Sequence, residues 1–215
     1  IRLGSLEPGI ITEEFAHRIK AVDKLCPHFH LSLQSGCDSV LRRMNRKYTC
    51  SEYMEKCELL RKVYKNPAIT TDVIVGFPGE TEEEFECTRK YLEDINLYEM
   101  HIFKYSQRKG TPAATMPNQV DPLVKNSRSD VLLAISEHNK HAYQDLFVGT
   151  TVKVLVEELV EKNGEEYMRG HTERYMDVHI STEGITDPQS FKNRIVEVMY
   201  EKTTAGEYVG KINRG

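Results

Sequence analysis

The stretch TTDVIVGFPGETEEE, residues 70–84, reads as a strand that ends in a glycine–proline loop and opens an acidic helix. Its upstream counterpart LSLQSGCDSVLRRMNRKY, residues 31–48, reads as a strand that turns through Gly36 into a basic helix. Successive strand–helix units with short connections predict a parallel sheet, either open or curled into part of a barrel. Strand parity favours a barrel around a ligand. His28, His30, Ser32 and Gln34 share one face of their strand; Phe29, Leu31 and Leu33 share the other. A filled barrel would turn Val, Ile and Leu inward, so a polar inner face predicts a cavity, with the ligand at the carboxyl ends of the strands.

Outward from this centre, Ile1 to Leu6 reads as a first strand, with Ser5 and Glu7 on one face at its carboxyl end. Phe15, Ile19, Val22 and Leu25 predict a helix over 12–25. Helices are predicted over 38–44 and 51–64, the second opened by a Thr49/Glu52 capping box. Thr81 and Glu84 form the same box after the glycine loop, and Tyr98 to Tyr105 reads as the next strand. A loop, 107–119, leads to a long helix over 121–147 with Leu132, Ile135, Ala142 and Leu146 as its packing stripe. The texture then changes to five short alternating runs separated by Asn-Gly, Glu-Gly, Asp-Pro and Ala-Gly turns, which predicts a small antiparallel barrel. Two domains are expected, 1–147 and 148–215.

At 215 residues the chain can bury a proper core. Its formal charge of −4 excludes a general cationic nucleic-acid binder, so any RNA site must be a local patch. No apolar run approaches the roughly 20 residues a membrane helix needs. The chain begins at Ile1 rather than Met and is expected to be an excised fragment. Its five cysteines, Cys26, Cys37, Cys50, Cys57 and Cys87, have neither disulfide-framework nor metal-ligand spacing and read as reduced, mostly buried thiols. No residue is assigned as a metal ligand or as catalytic.

The loop Gly76-Phe77-Pro78-Gly79-Glu80 sits where backbone amides approach a ligand at a helix start. A phosphate loop would need Lys-Ser or Lys-Thr next, whereas Glu80 to Glu84 would repel a triphosphate; a plain structural turn is the competing account. Gln34 and Ser35 offer donors and acceptors to a zwitterionic ligand. Arg46, beyond the basic helix, is the cation placed to meet a carboxylate or phosphate. His28 and His30 read as hydrogen-bonded lining, since no third ligand lies near them in sequence. Tyr105 either stacks on a base or plugs the barrel. In the second domain, Tyr167, Arg169, His171, Arg174 and Tyr175 interleave aromatics with positive charge, a pattern suited to single-stranded RNA. Residues 149–215 nevertheless hold nine Lys/Arg against twelve Asp/Glu, so such binding should be weak and salt-sensitive.

RLGSLEP, HLSLQSGCDSVLRRMNRKY, TDVIVGFPGETEEEF and HIFKYSQRKGTPAATM occur in the order of the strand motifs of radical S-adenosylmethionine (SAM) methylthiotransferases, and GHTERYMDVHI is similar to the TRAM domain that closes them. The resemblance covers nearly the whole chain and implies half of a TIM-like radical SAM barrel followed by an all-β TRAM barrel. SLQSGCD, NRKYT and YSQRKGTPAATMPNQ most resemble the branch acting on threonylcarbamoyladenosine beside the tRNA anticodon; sister branches act on isopentenyladenosine in tRNA or on a ribosomal-protein aspartate. A non-catalytic RNA-binding module is the reading from outside this class.

The resemblance implies a cytoplasmic enzyme with two [4Fe–4S] clusters, a flavodoxin-like electron donor, SAM and the tRNA anticodon stem-loop. It implies Ser5 and Glu7 at the SAM ribose or methionyl part, and Gln34, Ser35 and Arg46 at its polar end. Gly76, Phe77 and Pro78 would line the adenine, with Tyr105 and Ser106 nearby. The cluster cysteines of such enzymes have no counterpart here, so this polypeptide alone is expected to hold no cluster and to be inactive. The bare edge of its first strand is expected to pair with another copy or to fray.

Overall fold

The computed structural model describes residues 1–212, so the last three residues of the second expected domain lie outside it. The chain divides into two compact units, Ile1–Lys140 and His141–Gly215.

The first unit is built on a parallel sheet in the order β1 (His28–His30), β2 (Ala68–Val75), β3 (Glu99–Lys104). The helices of its crossovers are α2 (Asp38–Arg43), α3 (Cys50–Val63) and α4 (Glu82–Ile95). Both predicted capping boxes form: Thr49 with Glu52 opens α3, and Thr81 with Glu84 opens α4. Each box satisfies amides that the first helical turn leaves unpaired. The core takes the predicted apolar face, with Phe29, Leu31 and Leu33 fully buried beside Tyr53, Leu60, Leu92 and Ile95. The helices therefore cover one face of the sheet and leave the polar face to line a space.

Several predicted elements are shorter. Residues 1–6 do not form a strand: only Leu6 bridges Leu31, and Cys26 donates its amide to the carbonyl of Ile1 at 2.8 Å. The chain start is thus held by a loop rather than by a ladder. The helix predicted over 12–25 is α1 (Glu13–Lys20), with Val22 exposed beyond its end. The strand after His28 is interrupted because Thr71 Oγ1 takes over ladder bonds, accepting from the Leu33 amide at 3.0 Å and donating to the Leu31 carbonyl. Pairing resumes at Gln34, which lies at φ 74°. The predicted loop 107–119 contains the short helix α5 (Pro112–Thr115).

The long helix is α6 (Pro122–Asp145), and its predicted stripe is partly wrong. Leu132 is buried, but Ala142 and Leu146 are exposed, while Ser129, Ser136, Asn139 and Gln144 are buried instead. Ser136 explains the polar face. Its hydroxyl bonds both the amide (3.0 Å) and the carbonyl (3.1 Å) of Met100, groups that β3 as an edge strand would otherwise bury unpaired.

The second unit is a closed barrel ordered β4 (Thr151–Lys162), β5 (Glu165–Thr172), β6 (Asp177–Ser181), β8 (Tyr208–Ile212), β7 (Ile195–Lys202). All pairs are antiparallel except β6 with β8, which closes the barrel in parallel. Its interior is filled by Val154, Val156, Met168, Val178, Ile180, Val198 and Tyr200. Gly170 sits opposite a bulge in β4, and a Cβ there would stand 1.9 Å from the Leu155 carbonyl oxygen. Only glycine permits that approach.

Candidate functional site

The inner face of the parallel sheet carries one polar side chain after another across three strands. The register sets His30 beside Thr70, and Asp72 beside His101. Thr70 Oγ1 lies 3.2 Å from His28 Nε2 and 3.0 Å from His30 Nδ1. His30 Nε2 lies 3.4 Å from Asp72 Oδ2, and the His30 and His101 rings stack at 5.9 Å. Burial, then the nearby positive charge of Arg2, pushes His28 down to about 4, so it is neutral at pH 7.

Above this network lies a cleft of about 590 Å³, lined in part by Gln34, Asp72, Ile74, Tyr105, Ser106 and Arg108. It joins polar groups to an apolar wall of Ile74, Phe103 and Ala113. The stretches 31–48 and 70–84 meet beside it, where Phe77 packs on Cys37 and Val40 and meets Tyr105 edge-on at 5.4 Å.

The predicted residues divide into groups. Gln34, Tyr105 and Ser106 share the cleft wall. Glu7 and Arg46 are brought together as an ion pair of 3.1 Å, and Ser5 is exposed. Ser35 is fully buried; its hydroxyl meets Thr88 Oγ1 at 3.2 Å and accepts from the Cys37 amide, so it shapes the turn. Pro78 is buried in the glycine loop.

That loop spends its amides inside the protein. Gly76 N–H donates to Glu80 Oε2 at 2.7 Å, Gly79 N–H to the Asn118 carbonyl, and Glu80 N–H to the Phe77 carbonyl. The cradle of free amides considered from the sequence is therefore not formed at these three groups. Arg128 of α6 braces the loop through Glu80 at 2.7 Å and Glu82 at 3.0 Å. Burial raises the Glu80 carboxyl above its ordinary range, opposed by the Gly76 amide and by Arg128. On the neighbouring helix, Arg43 chelates Glu84 and holds its carboxyl down at about 2, helped by Ser39 and the Thr81 amide.

On the second unit the predicted cations are engaged. Arg169 pairs with Asp177 at 3.0 Å and Glu158 at 3.1 Å, Arg174 pairs with Glu173, and His171 meets Glu157 at 2.7 Å. Tyr167 donates to Glu165 at 2.8 Å. Tyr175 is 43% exposed and stacks on His171 at 4.5 Å.

Residues 2–92 match the Radical SAM superfamily. The chain is 41% identical over 179 residues to threonylcarbamoyladenosine tRNA methylthiotransferase MtaB of Bacillus subtilis, covering 83% of this chain and 40% of that protein. The Thermotoga maritima protein of the same name is 39% identical, with 82% and 40% covered. The tRNA-2-methylthio-N(6)-dimethylallyladenosine synthase of Desulfotalea psychrophila is 41% identical over 165 residues, with 77% and 36% covered. Over most of its length the chain is similar to radical SAM methylthiotransferases. It spans about two fifths of the length of these curated relatives. Coproporphyrinogen III oxidase from Escherichia coli, a radical SAM enzyme, shares the fold at TM-score 0.54 and 18% identity, over 63% of this chain and 31% of that one.

The two cofactor types of radical SAM methylthiotransferases fit this chain differently. SAM is amphipathic, and the cleft matches it: Gln34, Asp72, Tyr105, Ser106 and Arg108 line it beside the apolar wall, and the buried Tyr105 hydroxyl has no hydrogen-bond partner among the described residues. An iron–sulfur cluster needs convergent thiolates. The cysteines here lack that spacing, and burial pushes the Cys57 thiol up to about 12 and raises Cys50 and Cys87 as well. They do not fit a cluster.

Thr70, Asp72, His101 and Arg108 of this face and cleft carry no motif of their own. Parity along β2 and β3 would have put Thr70 and Asp72 on one face and His101 on the face of Phe103, but the register between strands was not legible.

Proposed function

We propose that this chain is the SAM-binding part of a tRNA methylthiotransferase that acts on threonylcarbamoyladenosine, with residues 148–215 serving as a TRAM-type RNA-binding barrel. The observation that carries the reading is the mixed cleft on the polar face of a radical SAM sheet, with its partnerless Tyr105 hydroxyl. Bound SAM would supply radical hydrogen abstraction and the transferred methyl group. The chain's own part is to bind, orient and exclude water. Gln34, Tyr105 and Ser106 hold polar atoms of the ligand. Phe77 and Pro78, fixed by the braced Gly76 loop, give the adenine a rigid apolar edge. Glu7 and Arg46, paired at 3.1 Å, would offer the ribose and carboxylate their opposite charges, with exposed Ser5 beside Glu7. The thiolates that hold a cluster come from outside the cysteines of this chain.

On the second unit, Tyr175 on His171 is an exposed stacking platform for an unpaired base. Its arginines, being already paired with carboxylates, add little net charge. Specificity for tRNA then rests on the assembled enzyme rather than on this barrel.

The equal identity to a dimethylallyladenosine synthase favours that substrate as the second reading. The test is mass spectrometry of tRNA nucleosides from cells lacking their own methylthiotransferases and supplied with the full-length protein. Methylthiolated threonylcarbamoyladenosine that disappears with Tyr105→Ala is the expected outcome. Methylthiolated dimethylallyladenosine would move the protein to the sister branch, and neither product would leave an RNA-binding module.

A further inference from the structure

We infer that His30, Asp72 and His101 form a binding site for a first-row divalent transition-metal ion on the inner face of the parallel sheet. The three side chains come from three adjacent strands, and their ligand atoms lie within 4.8 Å of one another. Around an ion with bonds of about 2.0–2.2 Å, ligand atoms stand roughly 3–4 Å apart. Small side-chain rotations therefore suffice. Among the described residues this is the one group of three or more His, Cys, Asp or Glu whose ligand atoms converge in this way.

The donor set selects the ion class. Two imidazoles and one carboxylate suit Zn²⁺ or Fe²⁺, whereas all-oxygen sets suit Mg²⁺ and Ca²⁺. Three protein ligands also leave coordination positions open. Asp72 lines the cleft, so those positions face it and accept water or an oxygen atom of a ligand bound there.

Thr70 is the residue that prepares the site. Its single hydroxyl proton cannot be donated to both His28 Nε2 and His30 Nδ1. In one arrangement it is donated to His28, and His30 Nδ1–H donates to Thr70, which leaves the His30 Nε2 lone pair facing Asp72. In the other, His30 Nε2–H donates to Asp72. Metal binding selects the first arrangement, and Thr70 then fixes both tautomer and ring direction, as outer partners of metal-bound histidines do. The site uses none of the side chains proposed to hold SAM, although Asp72 lines the same cleft, and its metal test does not depend on SAM binding.

The test uses the 215-residue chain, stripped with chelator and titrated with Co²⁺ as an optical stand-in for Zn²⁺. One ion per chain is expected, with visible bands of nitrogen–oxygen ligation, no thiolate charge-transfer band, and displacement by Zn²⁺. His101→Ala, an exposed side chain, and the isosteric Asp72→Asn should each abolish stoichiometric binding while circular dichroism stays that of the parent. Thr70→Val should weaken it by about 10–100-fold, and His141→Ala should change nothing. Absence of bound cobalt in the folded chain, a thiolate band, or binding that survives both His101→Ala and Asp72→Asn would overturn the inference.

Discussion

The two units use the same strand alternation in opposite senses. In the parallel sheet, helices cover the apolar face, so the polar residues His28, His30, Thr70, Asp72 and the exposed His101 share the opposite face and meet across strands. In the closed barrel no helix layer is required. The apolar residues turn inward and fill the space, and the polar ones go outside, where Arg169 pairs with Asp177 and Glu158 and His171 meets Glu157. Ligand chemistry in the first unit is therefore an internal matter of orientation and desolvation. In the second it is a surface matter of stacking and salt.

The sharpest way to break this contrast is to remove a buried charge from the first unit. Arg128→Ala leaves Glu80, whose side chain is 1% exposed, buried without its partner. A loss of about 3–5 kcal/mol is expected in urea unfolding of that unit, and Arg128→Ala combined with Glu80→Gln should recover part of it. A loss below about 1 kcal/mol, the range of exposed pairs, would mean that the loop is not braced through this pair.

The matching change in the barrel is steric. Gly170→Ala puts a methyl group into the Leu155 carbonyl, so a cost of at least about 1–3 kcal/mol is expected, with loss of the β4–β5 register in amide exchange. Unchanged protection at Val156 and Gly170 would place the strain elsewhere.

The surface character of the second unit is sharpened by Tyr175→Ala. With one base stacked on the His171–Tyr175 platform, binding of single-stranded RNA should weaken by about 1–3 kcal/mol while salt dependence stays the same. A changed salt slope at constant affinity would assign the contact to phosphate neutralisation instead.

The smallest effect is electrostatic and local. Glu84 titrates near 2 in the folded chain against an ordinary 4.5, chiefly because Arg43 bonds its ionised form. Its contribution is complete above pH 4.5 and is lost as pH falls toward 2, since protonation then favours the unfolded chain. The stability difference between the parent and Glu84→Gln should shrink across that window. A difference independent of pH would show that Arg43 holds the glutamine as well as it holds the carboxylate.

Much of this was legible in the amino acids. The capping boxes of α3 and α4 depend on residues three apart, so Thr49, Glu52, Thr81 and Glu84 announce them. The apolar face of Phe29, Leu31 and Leu33 follows from a period of two. The first segment misled because a short run containing Ile1 and Leu3 has strand composition, whereas pairing depends on a neighbour, and only Leu6 meets one. The stripe of α6 misled because Ser136 is buried to serve the edge of β3, a demand that no helical periodicity encodes.

The sequence by itself determined where the caps of α3 and α4 fall, where most strands and turns lie, which face of the first strand is apolar, and that five ordered motifs resemble one enzyme family. These are properties of residues close in the chain. Tertiary structure alone decided that the Gly76 amide is spent on Glu80 and that Arg128 reaches both Glu80 and Glu82. It also decided that His30, Asp72 and His101 converge. His30 and His101 are far apart in sequence. They become neighbours only because parallel crossovers set β1, β2 and β3 side by side in one register, and register is fixed by packing of the whole sheet.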